Sequence, residues 1–528
     1  MKRFLAILLI SLMIFSCATV NAEEQTTISF YSIGCGLFDD DAYVQKYIES
    51  NLNIKLDVRH VSHTDNEAVN LMFSSGEMPD LAWTGKSWSE LDSNGLVRTI
   101  PVEMVKEYVP GLMDLFEKYP LLYAMALDPN DDTQLRCIPD VCNFVADNFP
   151  SCIFLRYDWI KKLGIDLGVN VEQLTDTFFI SDKGVSLEVF EQILRGFVNN
   201  DPDGNGENDT VGLMRVWDNV FLPPFGIRYN ANMNIDGKLT DWFVNPAMKD
   251  VLTYVQSLYS EGLIYPEIFT VQWGQDWEYV NNEKCGIWTG LNPGALDSWA
   301  SGRPPLSLWN QHPEAEVIVI PGITDADGKV NYTKEFSPNR GESGFINANV
   351  SDEHLIEVLK FFNWCNFNDD LEVTATLNYG EKGVDWDWGE DGRPVKLSDI
   401  TNSSRGQSTF NRNMQTGILN DWIWFEPLYE TGMKYYYDGI WCEDLDYTYK
   451  KDILSVRPEE AVDVENEYSA DWANVRNAYF MKVITGAANV EGDWDNYLSE
   501  MSRLKYDEYL AGWDDVKPIA KYLEEYTK

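Results

Sequence analysis

Basic residues are scarce in this 528-residue chain: 41 Lys and Arg stand against 85 Asp and Glu, a formal net charge of -44. A surface of that sign repels nucleic acid and anionic membrane, so both are excluded as partners. An anionic small ligand is not excluded, because a local pocket can oppose the global field. Histidine is rarer still. Its four copies (60, 63, 312 and 354) are scattered apart from His60 and His63, and read as surface residues rather than a metal site. No Cys-x-x-Cys or Cys/His spacing occurs, which removes a zinc reading of the 8 cysteines. Gly-x-Ser-x-Gly and His-Glu-x-x-His are both missing, and with them two hydrolase signatures. Internal repeats and low-complexity linkers are missing too. Past the first residues, no apolar run approaches the ~20 needed to cross a bilayer.

Aromatics, by contrast, are abundant, at 13% with 19 Trp, which marks a folded chain long enough for two or more cores. Met1-Lys2-Arg3 followed by the apolar run Phe4 to Phe15 reads as a signal peptide over residues 1–22. Two processing sites are legible: Ile14-Phe15-Ser16-Cys17, which would leave Cys17 as a lipidated first residue, and Val20-Asn21-Ala22 before Glu23. Either predicts export. Cysteines 35, 137, 142, 152, 285, 365 and 442 then remain, an odd set in which one disulfide among Cys137, Cys142 and Cys152 is an option.

The densest motif is Asp201-Pro-Asp203-Gly-Asn205-Gly206-Glu-Asn-Asp209. Oxygen-bearing side chains recur at alternate positions with glycines between them, as a hard cation requires, and Ca²⁺ above all. Asp201, Asp203, Asn205 and Asp209 offer side-chain oxygens, Glu207 a backbone carbonyl, and Gly206 permits the sharp turn. A plain polar turn would use the same residue types. The twelfth position, where an EF-hand carries a bidentate Glu, is Gly212. Leu187, Phe190, Leu194 and Phe197 predict a helix over Ser186 to Asn200, and Thr210 to Trp217 reads as extended. Helix, loop and strand in that order describe a structural clamp rather than a sensor.

Strands are predicted at Thr26 to Ser32, Ile54 to His60 and near Leu81 to Trp83, with helices at Asp41 to Asn51 and Asn66 to Ser75 between them. That alternation opens a parallel α/β sheet. A second α/β region begins near Phe154. In it, Tyr157 to Leu163 is a helix stopped by Gly164, and Val251, Val255 and Leu258 line another, ended at Gly262. Leu355, Val358, Leu359 and Phe362 form a further helical face. The pattern predicts lobes joined by several short crossings.

Six segments, in order, resemble the family 1 extracellular solute-binding proteins, the sugar-binding subunits of bacterial ABC importers. They are Ser75-Gly-Glu-Met-Pro-Asp80, Leu155 to Gly164, Phe197 to Gly206, Leu258-Tyr-Ser-Glu-Gly-Leu-Ile264, Cys285-Gly-Ile-Trp288 and Asn378 to Trp386. The closest pattern is the larger lipoprotein branch that includes calcium-containing alginate-oligosaccharide binders. The resemblance covers most of the mature chain. It implies an α/β, two-lobed periplasmic-binding-protein clamp with several interlobe crossings. The expected division is 23–152 and 336–400 in the N-lobe, 153–335 in the C-lobe with the loop at 201–210, and 401–528 in the C-lobe and hinge-covering helices. It also implies a structural Ca²⁺ on Asp201, Asp203, Asn205, Glu207 and Asp209. The family often carries another acid after the last Asp; here that position is Thr210, a doubtful ligand.

Sugars present flat C–H faces to aromatic rings, and their hydroxyls call for convergent polar groups. The candidate ligand contacts are Tyr31, Trp83, Trp217, Trp288, the pair Trp422 and Trp424 on one strand face, and Arg340, which can meet a carboxylate or hydroxyls. With 19 Trp, most are expected in cores. The expected function is capture of a carbohydrate, an oligosaccharide in the first instance, by a non-enzymatic monomer. That monomer would serve separate permease subunits and touch membrane only through a lipid anchor. A binder of another solute such as a peptide is one alternative. A secreted glycoside hydrolase is another, needing two carboxylates ~5–9.5 Å apart.

Overall fold

The computed structural model describes residues 25–512 except 39–41, 63–64, 119, 129, 142–151, 216–219, 228–232, 236–237, 273, 291–302, 331–338, 391, 398–404, 408 and 411–458. The chain opens as strand β1 (Thr27–Tyr31), helix α1 (Tyr43–Leu52), β2 (Lys55–Val58), α2 (Asn66–Ser74), β3 (Leu81–Thr84), α3 (Trp88–Ser93) and β4 (Val97–Arg98). Local chemistry sets these limits. Asp65 caps α2 by accepting from the Ala68 N–H, Ser87 caps α3 by accepting from Glu90, and Asn53 ends α1 in the left-handed region at φ 52°. Three short helices between Val102 and Ala126 then lead to β5 (Ile138–Val141).

A second sheet comes next. Its elements are β6 (Cys152–Arg156), α4 (Tyr157–Leu163), β7 (Val171–Gln173), β8 (Phe178–Ser181), α5 (Leu187–Asn199), α6 (Met248–Ser260), α7 (Gln275–Asn281), β9 (Ile287–Gly290), α8 (Leu306–Gln311) and β10 (Val317–Ile320). The chain then returns through β11 (Asn339–Asn347) to α9 (Asp352–Asn366) and α10 (Leu371–Tyr379) of the first body. It ends in α11 (Glu459–Ile484), α12 (Val490–Arg503) and α13 (Tyr506–Ala511) on the second.

The first sheet has the order β2-β1-β3-β11-β4, with β5 also on β11; the second has the order β7-β8-β10-β6-β9. β1 runs parallel to β2 and β3, as the opening alternation predicts, whereas β11 runs antiparallel to β3, β4 and β5. Each sheet has its own core. One gathers Ile28, Phe30, Trp83 and Phe345 with Leu355, Phe361 and Phe362 of α9. The other packs Phe190, Ile193, Leu194 and Phe197 of α5 and Val251 and Val255 of α6 with Trp472, Tyr479, Phe480 and Tyr497 of the C-terminal helices. This is a two-lobed α/β clamp.

The register also fixes where the lobes join. The chain leaves the first sheet after Val141 and enters the second at Cys152; it leaves the second after Ile320 and re-enters the first at Asn339. Val141 pairs with Asn339, and Ser343 with Thr84, so these two crossings use the β3 C-terminal edge of the first sheet; a third, leading to α11, falls in 411–458, outside the described residues. Ile320 pairs with Ile153, and Gly290 with Cys152, so in the second sheet they use the edge formed by the ends of β9 and β10 and the start of β6. Between the lobes, Ser89 of α3 donates to Asp463 of α11 (3.1 Å). Residues 405–407, 409 and 410 lie across the end of β1: Val44 donates to the Arg405 carbonyl (3.0 Å), Ser32 to that of Thr409 (3.2 Å), and Phe410 joins the first core.

Candidate functional site

The acidic loop begins where α5 ends. Ser186 caps that helix by accepting from Val189, the apolar face turns inward, and Asn200 closes it; Asp201 then takes the left-handed backbone at φ 45°. The chain curls around the first carboxylate. Asp201 Oδ1 accepts from the Gly204 N–H (3.0 Å) and Oδ2 from Gly206 (3.1 Å). Asn205 Nδ2 donates to Asp203 Oδ2 (2.8 Å) and Asp209 Oδ1 (3.0 Å), while its Oδ1 accepts from the Glu207 N–H (2.7 Å). Gly204 and Gly206, at φ 78° and 89°, permit the curl. The alternating donors predicted from sequence thus sit on one turn.

Two lysines reach the loop from elsewhere. Lys162 of α4 donates to the carbonyls of Asp201 (3.2 Å) and Pro202 (2.9 Å). Lys284 forms an ion pair with Asp209 Oδ2. That pair raises the lysine above its ordinary value and holds Asp209 below the usual carboxylate range. Burial, with the neighbouring Asp201, pushes the Asp203 carboxyl up. On Asp201 burial acts upward, but hydrogen bonds with Asp203, Gly206 and Gly204 outweigh it and the carboxyl is lowered. Among the described residues, no three Asp, Glu, His or Cys side chains stand as a ready-made metal cluster. Thr210 is not turned into the loop: it is buried, and its hydroxyl donates to the Phe197 carbonyl, pinning the loop's exit to the helix.

The segment after the loop is extended but makes only isolated bridges, Val211 with Cys285 and Leu213 with Ile264. Gly212 replaces the EF-hand glutamate for a steric reason: a Cβ there would lie 1.8 Å from the Leu263 carbonyl oxygen. Gly286 answers a similar crowding, since a Cβ would stand 2.6 Å from both Phe197 and Trp159. Cys285 precedes β9, whose first residue, Ile287, pairs with Leu155 near the end of β6. The loop therefore sits at the edge of the second sheet opposite the crossings, about one strand length (~10–13 Å) away.

Beside it lies an ion network around the buried Arg156. Arg156 grips Asp158 with two bonds (2.9 and 2.7 Å), donates to Glu283 (3.0 Å) and lies 4.5 Å from the Trp159 ring centroid. His312 stands 3.5 Å from Glu283 and 3.1 Å from the Asn281 carbonyl.

The aromatics predicted for the ligand divide. Tyr31, Trp83 and Trp288 are each only 2% exposed and belong to the cores, which corrects their assignment to a ligand surface. Trp83 packs on Phe362 (6.2 Å between centroids), and Trp288 stacks on Phe154 (5.5 Å, 8° between planes). Their positions at strand ends suggested exposure, but Phe362 of α9 covers the Trp83 ring and Phe154 of β6 the Trp288 ring. Arg340 falls in β11, at the crossing edge. Trp217, Trp422, Trp424 and Cys17 lie outside the described residues, as does Cys142. Cys137 carries a buried free thiol and is in no disulfide. Sequence reasoning missed Lys284, and it missed Trp277 in the first turn of α7 with the Arg303 guanidinium 5.3 Å from its ring. No local pattern marks any of the three.

No known family profile matches the chain. It is 26% identical over 339 residues to the lipoprotein LipO of Bacillus subtilis, covering 61% of this chain and 59% of that protein. It is 24% identical over 294 residues to the fructooligosaccharide ABC transporter substrate-binding protein FusA of Streptococcus pneumoniae, with 51% of each covered. A third relative, the polygalacturonan/rhamnogalacturonan-binding protein YtcQ of Bacillus subtilis, is 24% identical over 247 residues, 45% of this chain and 44% of that one. The chain thus spans about half the length of the curated relatives it matches. Solved structures show the same fold over nearly the whole chain. FusA in complex with kestose superposes with a TM-score of 0.70 at 18% identity, covering 95% of this chain and 99% of that one. The alginate-binding protein AlgQ2 without calcium ion gives 0.68 at 18%, covering 97% and 100%. An EF-hand mutant of FusA with fructo-nystose gives 0.70 at 18%, covering 95% and 99%. The fold is that of the two-lobed solute-binding proteins, and the relatives named are a lipoprotein, a substrate-binding protein and a polysaccharide-binding protein.

Proposed function

We propose that this chain is a non-enzymatic, extracytoplasmic solute-binding protein. It captures an oligosaccharide between its lobes and delivers it to the permease of an ABC importer, a separate set of chains. The observation that carries this reading is the join: the two crossings among the described residues leave each sheet from a single edge, the geometry on which two lobes hinge shut over a ligand. Named relatives that bind fructooligosaccharide or polygalacturonan support carbohydrate as the ligand class. Arg340, Trp217, Trp422 and Trp424 are the proposed contacts. Residues 1–22 are proposed to direct export, with Cys17 as the lipid-bearing alternative. Titration of intrinsic fluorescence against neutral and uronate oligosaccharides tests the reading. We expect saturable binding with the sugar recovered intact; a folded protein that answers no saccharide overturns it, and cleavage products would indicate a hydrolase.

The loop is proposed to hold one structural Ca²⁺. Its donors fit: hard oxygens of Asp201, Asp203, Asn205 and Asp209 and the Glu207 carbonyl lie on one turn, curled around the Asp201 carboxylate. The ion would supply charge neutralisation and tie α5 to the segment that bridges Cys285, just before β9. The loop's place at the far edge argues against direct contact with sugar.

A further inference from the structure

Lys284 reaches the acidic loop from 75 residues away and engages the carboxylate that ends it. Its approach is fixed by backbone. The Val211 N–H donates to the Lys284 carbonyl (2.7 Å), and Val211 bridges Cys285, so the lysine side chain is delivered to Asp209, two residues upstream of Val211. The ammonium donates to Oδ2 of Asp209 while Asn205 Nδ2 donates to Oδ1, so both carboxylate oxygens are taken by N–H groups. The turn that carries Lys284 is also held from its other side. Glu283 sits at φ 58°, which sends its carboxylate away from the loop to Arg156 (3.0 Å) and His312 (3.5 Å). Consecutive side chains thus hold the turn on two sides, Lys284 to Asp209 and Glu283 to Arg156 and His312.

We propose that Lys284 is a tethered competitor for calcium: a built-in cation that holds Asp209 in the metal-free chain and must give up that carboxylate when Ca²⁺ enters. This rests on the calcium reading of the loop. Ca²⁺ draws its oxygens to ~2.3–2.6 Å, and an ammonium on the same carboxylate is repelled at that range. The competitor keeps the empty loop folded, and it lowers the affinity for the ion. Lys162 supplies an internal control. Its charge is as close to the loop, but it rests on the Asp201 and Pro202 carbonyls and not on a carboxylate.

Calcium titration calorimetry on the chelator-treated full chain and its Lys284→Gln and Lys162→Gln variants tests the proposal. Thermal melts with and without Ca²⁺ provide the second readout. Lys284→Gln is expected to bind Ca²⁺ about three- to tenfold tighter than wild type, in the range of one surface ion pair together with one removed like charge. It should melt lower without calcium and show a larger calcium-induced rise. Lys162→Gln should gain less. Wild type that binds Ca²⁺ while Lys284→Gln binds it equally or more weakly overturns the competitor and leaves the calcium site standing; so does an equal gain in both variants, which is a field effect alone. No calcium binding by any of the three chains overturns the calcium reading itself. Should Lys284→Gln not fold, Lys284→Arg keeps the charge and is expected within about twofold of wild type; a gain as large as that predicted for charge removal overturns the proposal.

Discussion

Ser29 and Asp80 exchange hydrogen bonds in both directions: the Ser29 N–H donates to Asp80 Oδ2, and the Asp80 N–H to Ser29 Oγ, each at 2.8 Å. His354 of α9 stands 3.1 Å from the same carboxylate oxygen, and Asn347 donates its N–H to the Asp80 carbonyl (3.2 Å). One aspartate, at the end of Ser75-Gly-Glu-Met-Pro-Asp80, therefore ties β1, β3, β11 and α9 together. Removing a hydrogen-bonded carboxylate leaves its donors unmatched, so Asp80→Ala should cost about 2–4 kcal/mol in denaturant unfolding of the first lobe. Asp80→Asn keeps an acceptor and should cost about half as much. A loss under ~0.5 kcal/mol for the alanine variant would show that the exchange is immaterial.

Chelation is expected to lower the melting temperature, because an ion that binds only the folded chain stabilises it by mass action. Asp203→Asn should abolish most of that dependence by removing one charged donor. Saccharide affinity should change by less than about twofold in the same samples, since the loop lies a strand length (~10–13 Å) from the crossing edge. Identical melts with calcium and with chelator would remove the metal assignment.

The C-terminal helices predict an alkaline weakness. Tyr479 and Tyr497 stack face to face, 4.5 Å between centroids and 7° between planes. Burial, then Asp493 and Glu491, pushes the Tyr479 phenol up to about 12. Burial likewise raises Tyr497, and burial with Asp241 raises Tyr506, which donates to that carboxylate. In the unfolded chain each phenol ionises near ~10. Above that pH the unfolded state binds fewer protons than the folded one, so stability falls as pH rises, from about 10 up to the folded value. Melting temperature should decline steeply across that window, with tyrosinate absorbance from these rings appearing only on unfolding. Tyr479→Phe should flatten the slope; an unchanged slope in that variant would refute its share.

Much of this architecture was legible because its signals are local. Asp65 before α2, Ser186 before α5 and Gly164 after α4 are caps that a sequence displays, and the β1-α1-β2-α2-β3 alternation comes from period and punctuation. β11 was not legible. Its Asn-Arg-Gly-Glu-Ser-Gly run looks like a turn, yet Gly344 pairs with Trp83, and a Cβ there would lie 2.7 Å from the Trp83 ring. A glycine demanded by an aromatic on a distant strand leaves no local trace. Residues 201–209 form one turn, as their spacing shows, but the lysine that closes it leaves no local mark, because only the fold brings Lys284 to Asp209. Tyr31, Trp83 and Trp288 lie in the cores for the same reason: position at a strand end says where a residue stands, and not what covers it.

Trp83 gives the sharpest separation of core from ligand wall. Its ring is 2% exposed between Phe362 and the bare backbone of Gly344. Deleting it leaves a cavity the sheet cannot close, so Trp83→Ala should cost about 3–5 kcal/mol and lower the melt of the first lobe sharply. Trp83→Phe retains most of the apolar contact and should cost about 1–3 kcal/mol. A residue that only packs leaves binding alone, so saccharide affinity of the folded Phe variant should stay within about twofold of wild type, well under the ~1.4 kcal/mol that a tenfold change represents. A tenfold loss at an unchanged melting temperature would show instead that the ring reaches the sugar when the lobes part, and Trp83 would return to the ligand wall.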